Sequence, residues 1–369
     1  MIHFVVPAQQ EGGIKDYLDI SCPEVRNDFR VLHYESLAEQ PHFYRGTYVL
    51  SALDQLTSAM GRLVADIHHQ LQPLSNIRFL NNPQRTLQRF ELLTELYRKQ
   101  RNEFRAVRAH EDLKTLRFPV FLREERLHDG PISPLLNSAR EVRQAIGRAL
   151  VQGHELNNLL VVEFCDTAEH GVYRKYAAFV VGRNVIPRSL NYGRHWMLKH
   201  SETEFSRAVV VEELEYVTTN PHQKQLSEIF ELAQVEYGRI DYAMKDGRVQ
   251  TWEINLNPTI GRGLRPRSRN IPAELDAIRD EVRSEFYSGF RRAWREVNLC
   301  VPAEPLVRIN LDPQIRSTAK PITFREDKLL GSIRSVLRPF KPLMERLSPP
   351  FLFVLGWLAS LFGGRRSQS

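Results

Sequence analysis

Tyr237-Gly-Arg-Ile-Asp-Tyr-Ala-Met-Lys-Asp-Gly-Arg-Val-Gln-Thr-Trp-Glu-Ile-Asn-Leu-Asn-Pro258 is the stretch whose reading decides the fold. An Asp-Gly pair, Asp246-Gly247, between two β-prone runs is the strongest short signal for a hairpin. Glu253 and Asn255 are two residues apart on the second arm and therefore project from one face. Asp241 on the first arm can lie opposite them. Two carboxylates and an amide oxygen converging on one point form a hard, all-oxygen donor set, suited to Mg²⁺ when phosphates complete the shell. That combination predicts ATP chemistry.

The bulk of the chain is compatible with a packed protein of that kind. At 369 residues it is long enough for two or three layers or subdomains, and 42% hydrophobic with 26% charged residues excludes wholesale disorder. Cys22, Cys165 and Cys300 are widely spaced with no CxxC, which argues against a disulfide framework or a zinc site and predicts a reducing, cytoplasmic setting. The first residues, Met-Ile-His-Phe-Val-Val-Pro-Ala, lack a basic lead and a long apolar run, so they read as a first strand. The net charge is +7, with Arg in excess of Lys, and Arg favours bidentate contact with phosphate and carboxylate. No basic stripe interleaved with aromatics is present, so nucleic acid is not expected as a partner.

Residues 1–75 alternate apolar strands (Phe4-Val-Val, Phe29 to Tyr34, Tyr48-Val-Leu) with helical stretches, which predicts a small, largely parallel α/β domain. Gly12-Gly13 reads either as a phosphate cradle or as a turn. A helix is expected from about Gln84 to Lys99, then a strand at Phe118 to Glu124 and a loop through His128-Asp-Gly130. A helix from about Ser138 to Gln152 and a nearly continuous apolar strand at Asn158 to Cys165 follow. Tyr173 to Pro187 predicts two strands around a Gly-Arg-Asn turn.

This ordered set, ending in Arg-Ile-Asp-Tyr and Glu-Ile-Asn-Leu-Asn-Pro, resembles the ATP-grasp superfamily over roughly residues 80–262. The resemblance implies an α/β fold in which two α+β subdomains clasp ATP, preceded by a small parallel α/β domain. It places boundaries at 1–79, 80–300 with a hinge near 163–167, a linker at 301–328, and a tail at 329–369. It implies Asp241, Glu253 and Asn255 as ligands of Mg²⁺ (or Mn²⁺), with Arg239 facing the transferring phosphoryl group, helped by Arg262. Glu163 and the backbone of Phe164 and Cys165 would face the adenine, with Asp166 near the ribose. His128 and Gly130 occupy the place of the flexible phosphate loop, although Asp-Gly is equally a simple polar turn. Lys175 and Arg188 stand where the family often places triphosphate cations, or are solvated charges.

One departure bears on activity. Where the family carries a lysine after Pro-Val-Phe-Leu, this chain has Arg123, and Arg89 is the nearest cation to the family's other lysine. A fork-shaped, permanently charged guanidinium keeps the attraction to phosphate but alters the distances. Three functions stay open on the sequence: an ATP-dependent ligase that activates a carboxylate as an acyl phosphate for an amine or other nucleophile, a degenerate nucleotide-binding scaffold or sensor, and a kinase of a small acceptor. Partners implied are a small-molecule or peptide carboxylate and its acceptor. The basic run Gly261-Arg-Gly-Leu-Arg-Pro-Arg-Ser-Arg269 either anchors an anionic substrate or forms a surface loop.

The tail is amphipathic and basic from 329 to 347, then apolar from Phe351 to Phe362 before Arg365-Arg366. A bilayer needs about 20 apolar residues, so the apolar run is too short to span. It reads as lying in an anionic membrane interface, docking on a protein partner, or packing as a final core helix.

Overall fold

The computed structural model describes residues 1–40, 42–128, 130–198, 206–261, 272–299, 301, 307–318, 352–354 and 357–358. In chain order the strands are β1 Ile2–Val6, β2 Phe29–His33, β3 His42–Phe43, β4 Gly46–Leu50, β5 Ile77–Leu80, β6 Ala106–Arg108 and β7 Val120–Glu124. They continue with β8 Leu159–Glu163, β9 Tyr173–Val181, β10 Asn184–Gly193, β11 Tyr237–Lys245, β12 Arg248–Asn255 and β13 Val307–Arg308. The helices are α1 Gly12–Asp16, α2 Tyr34–Leu37, α3 Ser58–Leu71, α4 Arg89–Arg98 and α5 Ala139–Val151, then α6 Arg207–Thr219, α7 Gln223–Ala233, α8 Ala273–Val297 and α9 Pro313–Thr318. The fold is α/β.

The chain divides into two compact units, one of Met1–Gln88 with Thr167–Ile322 and one of Arg89–Asp166 with Thr323–Ser369. The first contains two four-stranded sheets. One is wholly parallel in the order β2-β1-β4-β5, as the strand–helix alternation predicts. The other is wholly antiparallel in the order β10-β9-β11-β12.

The boundary expected at 79/80 does not coincide with this division, and particular contacts of the first unit explain why. Asn81 is fully buried; its Nδ2 donates to the carbonyls of Leu50 (3.0 Å) and Tyr237 (2.8 Å). Its Oδ1 accepts from the backbone N–H of Glu236 (2.8 Å) and Tyr237 (3.0 Å), so one side chain stitches the end of β4 to the start of β11. Aromatic rings of α8 do the same for the core: Trp294 meets Phe29 (5.1 Å) and Tyr237 (5.6 Å), and Phe290 meets Tyr17 (5.3 Å) and Phe179 (5.2 Å). Such edge-on and tilted pairs add to the burial of large apolar rings. Thr47 Oγ1 also donates to the carbonyl of Val297 at 2.5 Å.

The second unit carries the antiparallel sheet β6-β8-β7. Helix α5 packs Val142, Ala145, Ile146 and Ala149 against Leu122, Leu159 and Val161. Its start is fixed by Ser138, which accepts from the N–H of Glu141 (3.3 Å) while Glu141 turns back to the N–H of Asn137 (2.8 Å). This is a variant of the capping box, with the carboxylate reaching the residue before the N-cap and not the N-cap itself. Helix α4 begins at Arg89, later than the expected 84, because the carbonyl of Asn82 accepts the N–H groups of Arg85 and Thr86 in a turn and Leu87 donates to Ala233. Of the tail, only 352–354 and 357–358 are described. Leu352 is 2% exposed and packs where Gly147 leaves space on α5, and Arg143 lies 5.8 Å from the ring of Phe353. The packed alternative thus accounts for Leu352, while Val354, Trp357 and Leu358 are exposed. Among the described residues, no helix is long and apolar enough to cross a membrane.

Candidate metal and phosphate site

The β11–β12 hairpin closes through a two-residue loop, Asp246-Gly247, with φ of 48° and 73°. Two consecutive positive φ values match the right-handed twist of the arms, which is why Asp-Gly is favoured there. The register sets Asp241 directly opposite Glu253, and Arg239 directly opposite Asn255. Directly opposed residues of an antiparallel pair share a face, with Cβ atoms about 5 Å apart. A bulge follows Asp241, so Tyr242 pairs with Thr251 and Trp252 is the extra residue. All four polar side chains therefore lie on one face.

Strand β9 adds a fifth group to that face. Ala177 pairs with Asp241, and Lys175, two residues before it, places Nζ 3.4 Å from Asp241 Oδ2. Arg239 Nε donates to Asp241 Oδ1 at 2.9 Å. Asp241, Glu253 and Asn255 are 8, 9 and 8% exposed, so the donors lie in a largely desolvated setting. Asn255 Oδ1 accepts the N–H of Asn257 at 2.8 Å, which orients the amide and leaves its second lone pair available. Among the described residues no group of three or more His, Cys, Asp or Glu could hold a metal ion; here the third donor is an asparagine. The oxygen chemistry of the set fits a divalent hard cation.

The opposite face of this sheet is closed by aromatic and polar groups of α6 and the turn before α7. Tyr216 donates to the carbonyl of Ala177 (3.0 Å), Tyr242 donates to the Tyr216 hydroxyl (3.1 Å), and His222 Nδ1 lies 2.9 Å from Tyr242 Oη. Burial pushes the His222 imidazole below its ordinary pKa and raises both tyrosines. This network backs the strand segment that carries Asp241. Arg188, at the bulge of β10, has its guanidinium 4.5 Å from the Phe286 ring centroid.

The remaining candidates lie in the second unit. Arg123 is on β7, opposite Leu160, and only 4% exposed. Gly130 adopts φ +92° with open space where a Cβ would be, while Asp129 lies outside the described residues. His128 is joined through Nδ1 to Arg89 Nη2 at 3.0 Å. Arg89 Nη1 also donates to the carbonyls of Glu124 (2.6 Å), Glu125 (2.6 Å) and Leu127 (2.7 Å), so this cation fastens the loop backbone.

Glu163 ends β8 at 1% exposure, and its carboxylate is taken up by arginines: Arg105 Nε at 3.2 Å, Arg117 Nη2 at 3.0 Å and the Arg117 N–H at 2.8 Å. Phe164 donates its N–H to the carbonyl of Pro119 at 2.9 Å; Cys165 is buried and Asp166 exposed. Arg262 lies outside the described residues. The contacts of Arg89 with the Glu124 carbonyl and of Arg105 and Arg117 with the Glu163 carboxylate carry no local sequence signal, since those partners are 35, 58 and 46 positions away. The exception is Asn257, whose place before a proline at a strand end marks a turn.

No protein-family model matches the chain, and no curated protein matches it significantly. Solved structures similar to it include the D-alanine–D-alanine ligase of Bacillus anthracis complexed with ATP, at 13% identity and TM-score 0.43 over 80% of this chain and 98% of that one. A RimK domain ATP-grasp protein of Sphaerobacter thermophilus is similar at 13% identity and TM-score 0.44, covering 78 and 98%. An L-amino acid ligase of Bacillus licheniformis follows at 10% and 0.36, covering 69 and 66%.

Proposed function

We propose that this chain is an ATP-grasp protein that binds Mg-ATP and uses it to join a carboxylate to an amine or another nucleophile. The observation that carries the proposal is the single face bearing Asp241, Glu253, Asn255, Arg239 and Lys175. Bound Mg²⁺ would neutralise the triphosphate and favour attack on its terminal phosphorus. Asp241 and Glu253 supply the anionic oxygens for it, and Asn255 a neutral one. Lys175 and Arg239 balance Asp241 in its absence, and Arg239 then faces the charge that develops on the phosphoryl oxygens.

In this reading a carboxylate oxygen of the substrate attacks the γ-phosphorus, the bond to the β-phosphate oxygen breaks, and ADP leaves. The amine nitrogen then attacks the acyl carbon, inorganic phosphate departs, and the amine loses a proton. Arg123, His128, Gly130 and the segment from Glu163 to Asp166 are assigned to the nucleotide by resemblance, and Lys175 and Arg188 to its phosphates. With the Glu163 carboxylate taken up by two arginines, recognition of the purine edge falls to backbone groups at 164–165. Arg262 and its neighbours are assigned to an anionic substrate.

The specific feature favouring a non-catalytic nucleotide binder is Arg123, a buried guanidinium at the place of a flexible lysine. Titration calorimetry with a non-hydrolysable ATP analogue, followed by phosphate release with carboxylate and amine panels, separates the readings. Mg²⁺-dependent binding with substrate-stimulated ADP and phosphate formation supports the ligase. Binding without turnover supports the scaffold, and a phosphorylated acceptor supports a kinase. Absence of any Mg²⁺-dependent nucleotide binding removes all three.

A further inference from the structure

The net charge of +7 is spread unevenly along the chain. Residues 328–369 hold seven Lys or Arg against one acid, Glu345, a net of +6, so residues 1–327, with the candidate site, carry only +1. A charge excess gathered in one terminal stretch marks a surface that meets an anionic partner. The apolar run from Phe351 to Phe362 lies inside the same stretch, between Arg346 and Arg365. Basic residues flanking a short apolar run that holds a Trp are the composition of a segment lying in the plane of a bilayer surface.

The described part of the run shows which side is available. Residues 352–354 and 357–358 are helical. Leu352 is buried and rests on α5 at Gly147, whose missing side chain lets the Leu352 carbonyl approach. Val354, Trp357 and Leu358 are 48, 43 and 38% exposed, and their spacing of three and four sets them on one helix side, turned away from Leu352. Next to this turn, Arg143 of α5 lies 5.8 Å from the Phe353 ring. Arg140 and Arg148 of α5 are exposed, and the one acid of that helix, Glu141, is engaged at its cap by Ser138 and the N–H of Asn137. The second unit thus presents three adjacent apolar side chains above a helix whose uncommitted charge is positive.

From this placement we propose that the face of Val354, Trp357 and Leu358 docks on an anionic lipid bilayer, inserting at the headgroup–acyl boundary while the positive charge of the tail and of α5 attracts the headgroups. The twelve-residue apolar run is too short to span, so the contact lies in the plane of the surface. Trp357 suits that depth, because an indole is apolar over its body and keeps one N–H for water or a headgroup. A protein partner fits less well. Three half-exposed side chains fall short of the roughly 800 Å² per partner that a stable interface buries, and a second copy would bring like charge. A bilayer asks only for a few inserted apolar chains with cations beside them. The proposal stands apart from the nucleotide reading, since none of these residues belongs to the candidate site.

The full chain is floated with vesicles of phosphatidylglycerol and phosphatidylcholine, and with phosphatidylcholine alone, at low salt and at about 0.5 M salt. Expected are partition onto the anionic vesicles, release by salt, and at least about tenfold weaker partition for the double variant Trp357→Ala/Leu358→Ala at an unchanged melting temperature. Arg365→Glu/Arg366→Glu leaves the apolar face intact and should weaken low-salt partition at least about fivefold. No partition of the wild type onto anionic vesicles, equal partition of the alanine variant, or equal partition onto neutral vesicles overturns the proposal. Self-association that the alanine variant abolishes, without vesicle binding, also overturns it and assigns the face to a second copy. Mg-ATP affinity, which the alanine variant should leave unchanged, is read separately, so failure of the nucleotide reading and failure of this one are distinct results.

Discussion

Asp241 and Glu253 stand directly opposite each other on the arms of one hairpin, and Asp241 is held from two sides by Arg239 and Lys175. Like charges placed cross-strand repel, so the two cations relieve a strain that a bound divalent ion would also relieve. Lys175→Ala should therefore lower stability by about 1 kcal/mol in metal-free buffer, the scale of a partly exposed ion pair. Added Mg²⁺ without nucleotide should recover that loss, since the ion takes over the balancing of Asp241. Thermal melts with and without Mg²⁺ measure it, and an equal deficit in both conditions refutes it.

Asp241→Asn and Glu253→Gln keep the shape of the hairpin while removing anionic ligands. Each should weaken Mg²⁺-dependent nucleotide affinity at least about tenfold, with little loss of fold, because an amide is a poorer ligand for a hard cation. Calorimetric titration at fixed nucleotide and varied Mg²⁺ gives the answer.

Glu163→Gln leaves Arg105 and Arg117 facing a neutral amide inside the second unit. Because Arg117 is exposed and Arg105 half-buried, neither cation is left deeply buried, and the loss is that of a charged hydrogen-bond partner, about 1.5–3 kcal/mol. Urea unfolding followed by a probe in residues 89–166 reads this. A change under 1 kcal/mol would show that the arginines find other acceptors.

His3 is fully enclosed in the parallel sheet, and burial lowers its pKa from 6.5 to about 4. Its Nε2 lies 3.1 Å from the carbonyl of Arg45, and its Nδ1 has no hydrogen-bond partner among the described residues, so a second ring proton would be buried unbonded. The unfolded chain binds that proton more readily, so folding is undisturbed above pH 6.5. Stability falls as pH drops from 6.5 toward 4, by about 3 kcal/mol in all. His3→Gln should flatten that part of the pH–stability curve; an unchanged slope assigns the loss elsewhere.

Gly147 lets α5 approach Leu352, for an added Cβ would come within 2.1 Å of the Leu352 carbonyl oxygen. Gly147→Ala should displace the segment at 352–354 and expose it to protease, at a cost of about 1–3 kcal/mol from overpacking. Limited proteolysis mapped by mass spectrometry tests this; identical cleavage kinetics would place the segment's anchoring elsewhere.

The hairpin and the shared face of Asp241, Glu253 and Asn255 were legible because period-two spacing and an Asp-Gly turn are local signals. The parallel sheet was legible for a similar reason, in the spacing of its apolar runs. What escaped was set by partners distant in the chain. Nothing near Glu163 announces Arg105 or Arg117, and nothing near Arg89 announces the carbonyls at 124–127. Arg188 reads as a phosphate cation or a solvated charge in one dimension, and its contact with Phe286 appears only when α8 is in place. The start of α4 was missed because Leu87 answers to Ala233, not to its own neighbours.

Trp294 and Val297 of α8 reach back to Phe29 and Thr47, which has a consequence for birth on the ribosome. The opening strands emerge first but must wait for nearly 250 further residues before their hydrophobic lid arrives. The inserted stretch 89–166 closes its own small sheet from nearby sequence in the meantime, since local pairing is faster than distant pairing. Premature termination before α8 would thus release a chain with a finished middle and an uncovered, sticky beginning, the kind of fragment that chaperones and proteases are built to catch.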